Sequence, residues 1–258
     1  MKTKPTIMKT NIKTLLTLSA FAGLTFTTAQ AATVYLGNAN DMDSASAWSG
    51  AVPGPGNEAT ISVSSTGTLP RWQANYAATT TINQTAGDLS LDVYNSFGSS
   101  VNTDFIYNMS GGSFTTVGSG GGGAPGEFNV NQHTFNLSGG SVTAQWQFRL
   151  LNTGIMNLSG TGTLDAPTIA GTAGTMNFET GWTGSATIDD LDESGWETLL
   201  ATTLAGSTFD GVDITTANFS DNFVVDGNTL SLAVVPEPSS TALLGLGGLA
   251  LMLRRRRS

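Results

Sequence analysis

Few side chains in this sequence are of the types that do covalent chemistry. It has no cysteine, which excludes disulfides, thiolate nucleophiles and Cys-ligated zinc. The single histidine, His133, has no acid or nucleophile at an informative spacing and reads as a surface or corner residue. Asp189-Asp190-Leu191-Asp192-Glu193 and Asp41-Met42-Asp43 offer the oxygen ligands that Ca²⁺ takes. Neither follows the Asp-x-Asp-x-Asp-Gly loop or the Gly-Gly-x-Gly-x-Asp repeat, so no metal or other cofactor is expected. A glycosidase needs two carboxylates roughly 5 to 9.5 Å apart around a sugar. A lyase commonly needs a basic residue beside the abstracted proton. Between residues 32 and 235 the only bases are Arg71 and Arg149, and the acids lie singly or cluster late in the chain. Catalysis is not expected. The glycine-rich stretch 119–126 lacks the Lys-Ser or Lys-Thr of a phosphate cradle and reads as a loop.

Five asparagines, Asn83, Asn108, Asn136, Asn157 and Asn218, stand in Asn-x-Ser/Thr sequons that could accept glycans. Four of them coincide with a repeat, and the simpler reading is that Asn and Ser suit that repeat. Trp146, Trp182 and Trp196 are candidates for stacking on sugars, or equally for capping a core.

The elements that must position these residues follow from composition and periodicity. Of 258 residues only 11% are charged, while 32 are glycine. That mixture favours short strands with tight turns over helices. Thr134-Phe135-Asn136-Leu137-Ser138-Gly139-Gly140-Ser141-Val142-Thr143 matches Ile106-Tyr107-Asn108-Met109-Ser110-Gly111-Gly112-Ser113-Phe114-Thr115. Shorter copies surround Asn83, Asn157 and Asn177, and successive asparagines are 25, 28, 21 and 20 residues apart. Side chains alternate along a strand, so Phe135 and Leu137 share one face and Asn136 takes the other. Ser-Gly-Gly marks a corner, and a second short strand follows it. One such unit cannot bury its apolar stripe, whereas a stack can. The expected fold is all-β, a right-handed parallel β-helix with irregular rungs of 20–28 residues. An antiparallel β-sandwich is the competing arrangement. Residues 192–204 are the one stretch expected to form a short helix, and 222–232 read as a hairpin on an Asp226-Gly227 turn.

Charge is segregated. Residues 32–235 carry 18 acids against two bases, a body charge of −16, while the other eight bases lie at the two ends. Such a body is repelled by phosphate backbones, so no nucleic-acid partner is expected. At the N-terminus Lys9 and Lys13 precede an apolar stretch, 15–26, and then Ala29-Gln30-Ala31. These are the three parts of a secretory signal, with signal peptidase cutting after Ala31. At the C-terminus Pro236-Glu237-Pro238 precedes an apolar run, 241–253, and Arg254-Arg255-Arg256-Arg257. Thirteen residues of helix cover roughly 20 Å of a roughly 30 Å hydrocarbon core. Snorkelling arginine stems and local thinning supply the rest. The arginines hold that end in the cytoplasm by the positive-inside rule.

Pro236-Glu237-Pro238, the Leu243-Leu244-Gly245-Leu246-Gly247-Gly248-Leu249 core and the arginine cluster together resemble the PEP-CTERM sorting signal of bacteria that make extracellular polysaccharide. The resemblance covers about the last two dozen residues. It implies recognition by an exosortase, a membrane transpeptidase-like enzyme, with processing near the Pro-Glu-Pro motif. Ala47-Trp48-Ser49-Gly50 with Val52-Pro53-Gly54-Pro55-Gly56 resembles the opening of exported β-helical, autotransporter-type passengers, and implies an N-terminal cap.

The expected organisation is a signal peptide (1–31), an exported β-solenoid (32–235) and a sorting tail (236–258) with a transmembrane helix. The expected route runs through an inner-membrane intermediate to the cell surface or extracellular space. The expected role is structural or adhesive, with exopolysaccharide as partner. A polysaccharide lyase or glycosidase, or a cation-dependent carbohydrate-binding module on the same scaffold, is the alternative.

Overall fold

The chain divides into two units, 1–31 and 32–258. The computed structural model describes residues 33–233 of the second, apart from 39–41, 43, 51, 55, 57, 70–79, 93–94, 98–105, 119–125 and 172. The expected signal helix, the sorting tail and most of the glycine-rich stretch lie outside the described residues, as do Asp41, Asp43 and Arg71.

Alternating apolar and polar residues build a β-solenoid of about five turns with three parallel faces. Strands are numbered along the chain. The first face holds β1 (Thr33–Val34), β2 (Glu58–Ile61), β3 (Thr81–Gln84), the first parts of β6 (Ile106–Val117) and β8 (Thr134–Ala144), then β10 (Ile155–Leu158), β13 (Thr175–Phe178) and β15 (Thr208–Phe209). The second face holds β4 (Asp88–Asp92), the later parts of β6 and β8, β11 (Thr163–Ala166) and β14 (Ala186–Ile188). The third holds β5 (Asn95–Phe97), β7 (Glu127–Asn131), β9 (Gln147–Leu151) and β12 (Ile169–Ala170). Copies of the sequence repeat pair residue for residue, so that Asn108, Asn136, Asn157 and Asn177 are successive partners.

The expected Ser-Gly-Gly corner is a bend inside one long strand rather than a break between two. The β6–β8 register shifts between Met109 and Ser113, where Gly112 lies at φ +81° and faces Gly140 at φ +78° one rung on. Only glycine adopts that conformation without strain.

Inward side chains of the three faces meet in one core. Tyr107 and Phe135 stack with centroids 4.9 Å apart, and Phe128 and Phe148 on the third face stack at 5.7 Å. Phe128 meets Phe114 of the second face and Phe135 of the first edge-on, at 5.3 and 5.2 Å. Such ring pairs contribute roughly 0.5–1.5 kcal/mol beyond the area they bury.

Both ends of the stack are covered. At the first rungs Trp48 is buried, its Nε1 donates to the Met42 carbonyl at 2.8 Å, and Tyr35 meets its ring edge-on. This is the expected cap. At the other end β17 (Phe223–Asp226) and β18 (Thr229–Leu232) form the expected hairpin, and β18 pairs antiparallel with β14. Its two-residue loop is Gly227-Asn228, one position later than expected, because Asp226 pairs with Thr229. Helix α1 (Glu193–Thr198) and a π-helical turn (Leu199–Thr203) fill the stretch expected to be helical. Asp192 caps α1 by accepting from the Gly195 amide at 2.8 Å. A single helical turn, α2 (Phe219–Asn222), was not anticipated. Among the described residues antiparallel pairing is confined to these covers, to the bridge of Tyr35 with Trp48, and to β15 with β16 (Val212–Asp213). The sandwich alternative is thereby excluded.

Candidate functional site

Four of the five sequon asparagines, together with Asn177, form a ladder on the outside of the first face. Each Nδ2 donates to the Oδ1 of the asparagine one rung earlier: Asn108 to Asn83 at 2.8 Å, Asn136 to Asn108 at 2.7 Å, Asn157 to Asn136 at 2.6 Å and Asn177 to Asn157 at 2.8 Å. The Thr208 hydroxyl closes the series by donating to Asn177 at 3.1 Å. For Asn108, Asn136 and Asn157 the nitrogen that would carry a glycan is committed to this ladder. Asn218 uses its amide to order a turn, donating to the Asp213 carbonyl at 3.0 Å and accepting from the Thr215 amide at 2.7 Å.

His133 is not at the surface, as the sequence reading had it. It is 3% exposed, and its Nε2 accepts from the Asn131 amide at 3.2 Å. Burial disfavours the imidazolium and pulls its pKa down to about 3, so His133 is neutral at physiological pH. On the third face, the buried Glu127 accepts from Arg149 Nη1 at 2.6 Å and from Gln147 Nε2 at 3.2 Å. Burial raises the Glu127 pKa, and Arg149 and Gln147 partly offset that rise. Arg149, an isolated base in the sequence, thus pairs with an acid 22 residues away.

Three of the four acids of 189–193 go to separate donors. Asp189 accepts from Asn228 at 2.9 Å, Asp190 from the Thr168 hydroxyl at 2.6 Å, and Asp192 from Gly195 and Ser194. The hydrogen bonds to Asp192 hold its carboxyl below the usual range. Among the described residues no three or more His, Asp or Glu side chains are grouped to hold a metal ion.

Trp182 and Trp196 are buried and satisfy their indole nitrogens internally, on the Gly162 and Asn228 carbonyls at 2.8 and 3.0 Å. They are core residues, not sugar platforms. Trp146 is 41% exposed, at the corner between β8 and β9. It borders the outer side of the second face, where two columns run in register. One is Ser90, Thr115, Thr143, Asp165 and Thr187; the other is Asp88, Ser113, Ser141 and Thr163. Near β4 the columns line an open groove of about 510 Å³ together with Ser64, Ser65 and Thr66 of the preceding rung. There Asp88 accepts from the Ser113 hydroxyl at 2.7 Å.

The residues expected to carry sorting, Pro236, Glu237, Pro238 and Arg254 to Arg257, lie outside the described residues, as do Ala29 and Ala31. No helix among the described residues is long and apolar enough to cross a membrane. The last described residue, Ala233, donates its amide to the Asn222 carbonyl at 2.9 Å, so the fold reaches at least to within three positions of Pro236. Neither a curated protein nor a solved structure matches the chain. A family model does match residues 234–257: the PEP-CTERM protein-sorting motif. The chain is therefore a β-solenoid that carries a PEP-CTERM sorting motif directly after its closing strand, a motif that implies export and processing by an exosortase-type enzyme.

Proposed function

We propose that this protein is a structural or adhesive β-solenoid of the cell surface or extracellular matrix, working in association with exopolysaccharide and without catalysis. In this reading signal peptidase removes 1–31 after Ala31. Residues 241–253 cross the inner membrane, and Arg254 to Arg257 hold the cytoplasmic end. The exosortase then processes the chain at Pro236-Glu237-Pro238. The coil is taken as right-handed, the hand that parallel crossovers adopt. The sorting motif at 234–257, immediately after the last strand, is the observation that carries this reading. The use of Asp88, Asp189, Asp190 and Asp192 as acceptors inside the body supports the non-catalytic part.

The test is the intact mass of the native protein recovered from the medium or cell surface. The expected species starts at Ala32 and ends between 235 and 238, and Glu237→Ala leaves the precursor unprocessed. A species still ending at Ser258, or processing indifferent to Glu237→Ala, overturns recognition through the motif.

A further inference from the structure

The outer side of the second face has a chemistry of its own. Its two columns hold seven hydroxyls and two carboxylates, Asp88 and Asp165, and no base. Rungs of a parallel sheet repeat at about 4.8 Å, and alternate side chains along a strand at about 6.6 Å, so the columns form a regular two-dimensional array. The array is solvent-facing: its hydroxyl residues are partly exposed, and Asp88 and Asp165 are exposed. Among the described residues the hydroxyls of Ser90, Thr115, Ser141 and Thr143 make no hydrogen bond within the protein. This contrasts with the asparagine ladder on the first face, where side chains satisfy each other.

We infer that the second face binds a polysaccharide bearing protonated amino sugars. Serine and threonine hydroxyls both donate and accept, as the hydroxyls of a sugar do. Repeating hydroxyls along the solenoid axis match a polymer of repeating polyols better than they match a compact ligand. The charge selects among such polymers. A body of −16 repels uronate and sulfated chains. Asp88 and Asp165, on a face whose described residues include no cation, attract ammonium groups instead. Trp146, exposed at the edge of this face, offers an apolar plate for a sugar ring. The inference deepens the exopolysaccharide role proposed above and rests on it.

Binding of the full chain in mild detergent to soluble chitosan oligosaccharides, a neutral β-glucan and alginate, read by isothermal calorimetry, separates the two. Chitosan binding is expected, weakening at 1 M salt as exposed ionic contacts are screened. Asp88→Asn with Asp165→Asn lowers the affinity about tenfold or more. Thr115→Val with Thr143→Val, which leaves the charge unchanged, lowers it several-fold. Asp213→Asn with Asp221→Asn, outside this face, leaves it unaltered. Circular dichroism confirms that each variant folds. Equal chitosan binding by all three double variants would reduce the effect to general charge attraction and overturn the inference. Binding of the glucan or alginate in place of chitosan overturns the amino-sugar assignment and leaves the exopolysaccharide role standing. Binding of none of the three overturns both.

Discussion

A carboxamide carries a donor and an acceptor on one planar group, so an asparagine repeated once per rung can satisfy itself with its neighbours. That is why Asn83 to Asn177 were legible as a repeat before any coordinates, and why the sequons within them read as structure rather than glycan sites. His133 was not legible. It falls one residue before β8, at a position where inward and outward facing depends on a turn the repeat does not encode, and Gln132 there takes φ +62°. Its burial gives a pH dependence with a definite sign. The native state holds the imidazole neutral down to about pH 3, whereas the unfolded chain takes up a proton below its ordinary value of 6.5. Stability from neutral burial is therefore complete above pH 6.5. It is lost as pH falls from 6.5 toward 3, with a slope approaching about 1.4 kcal/mol per unit. Glu127, raised by burial, acts in the opposite sense, contributing below its ordinary 4.5 and losing that contribution as pH rises. Comparison with His133→Gln isolates the histidine, because Gln keeps an acceptor and does not titrate. Urea midpoints at pH 7, 5.5 and 4 should converge or cross for the two proteins, and parallel profiles would refute the assignment.

At the scale of elements, two of the three faces could be read from the repeat, and the third could not. Strands β7 and β9 read EFNVN and QFRLL, sharing only an alternation too short to stand out. Their pairing sets Glu127 beside Gln147 and Asn129 beside Arg149, a match that neither segment signals alone. Trp182 and Trp196 escaped for a related reason: an indole caps a core as readily as it meets a sugar, and only its neighbours decide. The corners, by contrast, were written in glycine, and they make a prediction that separates two costs. A Cβ on Gly140 would sit 2.4 Å from the Gly112 carbonyl oxygen and 2.9 Å from Met109 Cε, at φ +78°. Gly227, in the closing hairpin at φ +62°, has nothing within 4 Å of the same position. Gly227→Ala should therefore cost about 1–2 kcal/mol, the conformational penalty alone. Gly140→Ala should cost about 3 kcal/mol or more, since backbone must also shift. Denaturant unfolding of both variants measures the difference, and equal losses would mean that the rungs separate to make room.

For the whole molecule, the distance between fold and sorting motif is the constraint that matters most. Strand β18 ends at Leu232, and Ala233 is still hydrogen-bonded to Asn222. Only residues 234 and 235 then precede Pro236. Extended chain gains at most about 3.6 Å per residue, so Pro236 can lie no more than roughly 11 Å from Ala233. In the proposed route an exosortase holding Pro236-Glu237-Pro238 at the membrane face works close to the end of the solenoid that the β17–β18 hairpin covers. Either the enzyme accommodates the folded body or the last residues of β18, Ser231 and Leu232, must peel from β17 first. Peeling costs the antiparallel pairs of Leu232 with Phe223 and Ser231 with Val224 and loosens the strand that carries the buried Leu230. That penalty would appear in the rate of processing rather than in its final extent. A flexible six-residue Gly-Ser insertion after Ala233 removes the constraint while leaving the matched motif, 234–257, and the described fold intact. Pulse-chase conversion of precursor to mature species should then run about twofold faster or more, with the same end point. An unchanged rate would show that the enzyme takes the motif beside an intact hairpin, and that sorting and folding of the body proceed independently.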